Sequence, residues 1–256
     1  MLILRKDQME AFQQAAIASF ENEMLAHSQA FSPKLSQVIG EQPLRLAVRS
    51  GIERAGGYGF TNRGPIRLFI ELMFLFGSGF DSDPQYPWAA SILHDTSPQM
   101  RRADRLYGKV LDYQEKVSGP NGVNTRTALS NLAFLAKQPL SYSANEFVPA
   151  MHRELADIFP QKAAYLGEAA LQALIRESCM VAQAAHFPTS RGFTLMLVLM
   201  FAFGHGCADD LLYPWIANTL KDERITDSSA RATRLEKKAL TWLDHVLANN
   251  PEVTQT

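Results

Sequence analysis

Apolar residues return along most of this chain at spacings of three and four. Met9, Phe12, Ala16, Phe20 and Met24 fall on one side of a helix predicted over Asp7–His27, leaving Gln, Glu and Asn for the other. Pro33 interrupts the pattern, and a short helical piece runs on to Gly40. Leu44, Ala47, Val48, Ile52 and Ala55 form the next stripe, with Arg45, Arg49, Glu53 and Arg54 on the polar side. Gly56-Gly57-Tyr58-Gly59 ends it, because clustered glycines accept positive φ at little cost. Thr61–Pro65 is turn chemistry, with Pro65 suited to a first helical position. Ile66–Phe76 is apolar nearly all round and so belongs in the middle of its unit.

A helix is expected from Pro87 or just before it, carrying Trp88, Ala89, Ile92 and Leu93, and another over Pro98–Val117 with Leu106, Val110, Leu111 and Tyr113 inside. Ser118–Asn124 is a run of turn formers, and Thr125–Lys137 reads as a connecting helix. Helices then follow up to Phe159-Pro160, over Glu168–Ala185, over Phe193–Phe203 and over Trp215–Leu220. Asn249–Thr256 reads as a polar tail. β-branched residues nowhere alternate with polar ones, so no strand is predicted.

The second series copies the first. Gly77-Ser-Gly-Phe-Asp-Ser-Asp-Pro-Gln-Tyr-Pro-Trp88 recurs as Gly204-His-Gly-Cys-Ala-Asp-Asp-Leu-Leu-Tyr-Pro-Trp215, an offset of 127 that holds without a gap from Phe20/Phe147 onward. Past this loop Arg102–Tyr113 matches Arg231–Trp242 at an offset of 129. A period of this kind decides the architecture before any single residue does. The expected fold is all-α, a tandem duplication of a roughly five-helix unit packed as a pseudo-twofold bundle. Residues 1–118 form the first repeat, 119–145 a linker with its connecting helix, and 146–256 the second repeat.

Composition narrows the function by exclusion. The 256 residues are 46% hydrophobic with a formal charge of -1, which points to no nucleic-acid or anionic-membrane partner. Met1–Asp7 holds too short an apolar run for a signal peptide. The most apolar windows, about eleven residues each, fall short of the roughly twenty that span a bilayer. Cys179 and Cys207 are the only cysteines, and a reducing cytoplasm is the simpler expectation.

The doubled loop holds the candidate chemistry: Asp81, Asp83, Tyr86 and Trp88 in one copy, Asp209, Asp210, Tyr213 and Trp215 in the other. Positions kept in both copies speak first for the fold. Gly77 and Gly204 suit left-handed helix caps. Asp83 and Asp210 suit turn or cap acceptors. Trp88 and Trp215 suit rings buried against the apolar helix. The alternative is that Asp81, Asp83, Asp209 and Asp210 form a carboxylate site for a ligand, a hard cation or acid–base work. No closing glutamate follows, however, and the copies space their aspartates differently. His205-x-Cys207 offers zinc-type donors without a second pair. Arg101, Arg102 and Arg105 read as a solvated helix face. No catalytic residue, metal or cofactor is expected.

Gln8 and Phe12, then Arg49-Ser-Gly-Ile-Glu-Arg-Ala55, then Leu72–Gly77 running into Gly79-Phe-Asp-Ser-Asp-Pro84 and Pro87-Trp88, form a string that resembles small helical bacterial proteins encoded beside type VI secretion effectors. The resemblance is clearest over residues 1–94. It implies a non-enzymatic cytoplasmic partner of a toxin effector, either its immunity protein or its loading adaptor. It assigns no site residue.

Overall fold

The computed structural model describes residues 6–248, with side chains from residue 15 onward except Ala144. The predicted tail at 249–256 and the apolar positions Met9 and Phe12 lie outside those limits. Every regular element among the described residues is helical: α1 (Lys6–Phe31), α2 (Pro33–Ile39), α3 (Glu41–Gly57), α4 (Arg63–Phe76), α5 (Pro87–Leu93) and α6 (Gln99–Tyr113) come first. A π turn (Gln114–Ser118) and a 3-10 turn (Pro120–Gly122) lead to α7 (Val123–Leu135). Then follow α8 (Ala144–Ile158), α9 (Pro160–Ala184), α10 (Ser190–Phe203), α11 (Pro214–Leu220) and α12 (Ser228–Ala248).

Helix limits follow the punctuation of the sequence. Pro33, Pro87, Pro160 and Pro214 each open a helix, where a missing N–H costs nothing. The limits of α4 and α5 return 127 residues later in α10 and α11. Gly40 parts α2 from α3 at φ +82°, and Gly167 kinks α9 at φ +75° in the matched place. The second copy thus runs the counterparts of α2 and α3 together, so that α9 starts well before the expected Glu168. Pro65 is the third residue of α4 rather than its first. It is tolerated because first-turn N–H groups have no helical partner in any case.

One continuous core draws on both halves of the chain. Phe69, Ile70, Leu72 and Met73 of α4 and Met196, Leu197, Leu199 and Met200 of α10 are buried, each worth about 1.5–3 kcal/mol of burial against the unfolded chain. The segment between the halves is held against the second half at two points. Asn131 donates to the carbonyls of Asp157 and Ile158 at the end of α8, 3.1 Å each. Arg191 of α10 donates to Ala136 O and Gln138 O, 2.8 and 3.0 Å, while pairing with Glu236 of α12.

Three expectations fail on burial. Leu111 is exposed because α6 turns that face outward, whereas Leu106 and Val110 point in. Trp88 and Trp215 are half-buried. Arg102 belongs to the interior: its Nη1 donates to Tyr58 O and Leu93 O at 2.8 and 2.6 Å, and its guanidinium lies 4.8 Å from the Phe60 ring centroid. Two helix-end carbonyls and an aromatic face offset its desolvation. Its neighbour Arg101 is exposed, and Arg105 pairs with Asp95. No described helix is long and apolar enough to cross a membrane.

Candidate functional site

The doubled loops begin where α4 and α10 end against each other. Gly77 N–H reaches Met73 O and Gly204 N–H reaches Met200 O, both at 2.9 Å. Neither glycine is in the left-handed helical region expected of it: Gly77 has φ +94° and ψ 153°, Gly204 φ +94° and ψ 155°. Only glycine occupies that region readily. Here it allows two backbones to touch, since a Cβ on Gly77 would stand 2.2 Å from Phe203 O and one on Gly204 2.6 Å from Phe76 O.

From there each loop closes the other. Asp83 takes the N–H of Gln85 on Oδ1 at 2.8 Å and the N–H of His205, in the opposite loop, on Oδ2 at 2.7 Å. Asp210 does the same in reverse, with Leu212 N–H on Oδ1 at 2.8 Å and Ser78 N–H on Oδ2 at 2.7 Å. Ser78 Oγ also donates to Asp210. Burial pushes both carboxyls above the usual carboxylate range, and the N–H groups draw them back. These are turn acceptors and cross-braces rather than helix caps, for Tyr86 and Tyr213 occupy the cap positions.

The other two aspartates sit elsewhere. Asp81 is held by Arg54 and by the Tyr58 hydroxyl at 2.9 Å. That tyrosine is pushed up to about 12 by burial first and by Asp81 second. Asp209 is exposed and pairs with Lys221. The four carboxylates therefore do not converge, and among the described residues no three His, Cys, Asp or Glu side chains gather as a metal would need. Cys207 is buried with its thiol pushed upward by desolvation and by Asp210, so it is a packing residue.

Aromatic residues back each loop in the same pattern. Phe76 lies 4.6 Å from Tyr86, 5.8 Å from Trp88 and 4.9 Å from Tyr113. Phe203 lies 4.4 Å from Tyr213, 6.1 Å from Trp215 and 4.8 Å from Trp242. The tyrosines carry the buried part of this packing and the tryptophans its edge.

The chain matches none of the protein-family models, curated proteins or solved structures compared with it. Geometry alone must then say what the loops can do.

Two arrangements appear that sequence reasoning missed. His205 stands between Glu177 and Ser82, with Nδ1 2.7 Å from Glu177 Oε1 and Nε2 3.2 Å from Ser82 Oγ. This has the connectivity of a nucleophile, base and orienting acid. Acyl transfer also requires N–H donors free to receive an oxyanion. The N–H groups of Phe80, Ser82 and His205 are bonded to Gly77 O, Gly79 O and Asp83. The second arrangement is Lys162 of α9, buried at 4% exposure and donating to Phe201 O. Burial draws its amine down to about 8 against the pull of Asp83. Both sets involve positions where the two copies differ: Ser82 against Asp209, His205 against Ser78, Glu177 against Ser50 and Lys162 against Leu35.

Proposed function

We propose that this is a cytoplasmic protein-binding protein of a bacterial type VI secretion system that holds a cognate toxin effector, as its immunity protein or its loading adaptor. The secretion context comes from the resemblance of residues 1–94. The observation that carries a binding role is the outer face of α6, where Met100, Tyr107 and Leu111 are 58%, 52% and 48% exposed. Residues seven and four positions apart share one side of a helix, so the three offer an apolar strip of the kind that protein interfaces cover. In this reading the loops brace two repeats packed face to face, with Asp83 and Asp210 spent on the brace.

The test is co-expression with the toxin encoded beside the gene. The wild-type protein is expected to co-purify with the toxin and to restore growth, or to increase its secretion if the role is loading. Tyr107→Asp with Leu111→Asp is expected to abolish co-purification while leaving the circular dichroism spectrum unchanged. Undiminished capture by that variant would remove the α6 face from the reading.

A hydrolase is the second reading, favoured by the Ser82–His205–Glu177 chain alone. It requires that a fluorophosphonate probe label Ser82 in the native protein and that His205→Ala prevent the labelling.

A further inference from the structure

A cavity of about 410 Å3 lies behind the loops, within the roughly 300–1,000 Å3 range of small-molecule sites. The first half contributes Phe76, Tyr86 and Tyr113 to its wall, and the second contributes Lys162, Phe201 and Trp242. Leu75, Gln114 and Thr125 in its lining are exposed, whereas Lys162 is buried. The space therefore leads from solvent to a cation. A smaller apolar cavity of about 70 Å3 adjoins it, with Leu132, Val198 and Trp242 common to both.

The fold does not require a charge at this point, since the matched residue of the first half is Leu35. An ammonium has three N–H donors, and Phe201 O takes one. The rings of Phe201 and Tyr86 lie 4.5 and 5.7 Å from Nζ, and their faces offset part of the lost hydration. Asp83 acts on the amine through space, but both its oxygens already receive N–H groups from Gln85 and His205. A buried cation with donors to spare among the described residues, at the inner end of an apolar space open to solvent, is matched by an anion on an apolar body.

We propose that this cavity binds an amphipathic carboxylate, its acid group paired with Lys162 and its hydrocarbon body against Tyr113, Phe76 and Trp242. This goes beyond effector binding and does not rest on it. The probes are decanoate and decanol, the same chain with and without the charge, titrated calorimetrically into the full-length protein. Decanoate is expected to bind at least about tenfold more tightly than decanol, since a charge-assisted bond exceeds the roughly 1.4 kcal/mol that a factor of ten represents. Lys162→Met, which keeps length and loses charge, is expected to erase the preference and still bind decanol. Ala202→Trp alters an exposed residue that borders both cavities, and is expected to weaken both ligands about tenfold or more. Equal affinities for the two probes, no binding of either, or a preference that survives Lys162→Met overturns the proposal. Should Lys162→Met fail to fold, Ala202→Trp decides, and undiminished decanoate binding in it is equally fatal.

Discussion

Gly77→Ala probes the point where the two helix ends meet. The added carbon would lie 2.2 Å from Phe203 O and 3.1 Å from the carbon bearing it, and both belong to backbone that no rotamer change can move aside. The end of α10 must retreat by about 1 Å or more to restore ordinary contact in a packed interior. That retreat stretches the 2.7 Å bonds from Ser78 N–H to Asp210 and from His205 N–H to Asp83. Placing alanine at φ +94°, ψ 153° costs about 1–3 kcal/mol by itself. Each buried donor or acceptor left without its partner costs about 1–3 kcal/mol more. With one of those two bonds lost the expected cost is about 2–6 kcal/mol, a large share of the roughly 5–15 kcal/mol that holds a domain folded. Gly206→Ala is the control. Gly206 is also kept in both copies, but a Cβ there meets nothing within 4 Å and its φ is not positive, so a change within about 0.5 kcal/mol is expected. Equilibrium urea unfolding reads both, as a shift in midpoint at constant slope. A Gly77→Ala protein within about 1 kcal/mol of wild type, or a Gly206→Ala protein as damaged as Gly77→Ala, would refute the close approach as the reason for glycine.

Two further expectations concern the charges behind the loops. Lys162 in the folded chain loses its proton near pH 8 against 10.5 for the free side chain, so the unfolded chain binds more protons between those values and stability rises with pH across that window. Below pH 8 the protonated amine costs the fold about 3 kcal/mol at about 1.36 kcal/mol per unit, with the favourable pull of Asp83 already counted in that figure. Lys162→Met should then melt above wild type at pH 7, with the gap closing towards pH 10.5; a gap independent of pH would contradict the titration. Asp83→Asn sets an NH2 against the N–H of either Gln85 or His205, because both carboxylate oxygens accept. A loss of about 2–4 kcal/mol is expected, and the same for Asp210→Asn, whereas Asp209→Asn, at an exposed pair, should stay within about 1 kcal/mol of wild type.

The helices were legible because glycine and proline mark their ends and because the chain states its pattern twice. Pro87 opens α5 where the sequence put it, and α11 starts at Pro214, one residue ahead of the expected Trp215. The importance of Asp83, Asp210 and the two tyrosines could also be read from their recurrence, but not what they touch. An offset says which positions are kept; it does not say that Asp83 reaches His205 rather than its own loop. Arg102 misled because the two carbonyls that receive it come from the ends of other helices, α3 and α5, which helical spacing cannot place. Leu111 follows Val110 in sequence but lies about 100° further round α6, far enough to leave the core while Val110 stays in it. Lys162 and the His205 chain were missed for the opposite reason: they stand where the copies disagree, and attention to kept positions passes over them. The substitution of a lysine for Leu35 in an apolar context was the available signal.

The exchange of aspartates has a consequence for how the polypeptide reaches its final shape. While the ribosome has delivered only the first half, the anion that will close the loop at Ser78 has not yet been made, and the emerging amide must remain in water. Completion of that first loop waits on residue 210. The earlier-made part of the chain is thus finished by the later-made part, and a nascent chain halted midway would carry an unclosed loop at the end of α4.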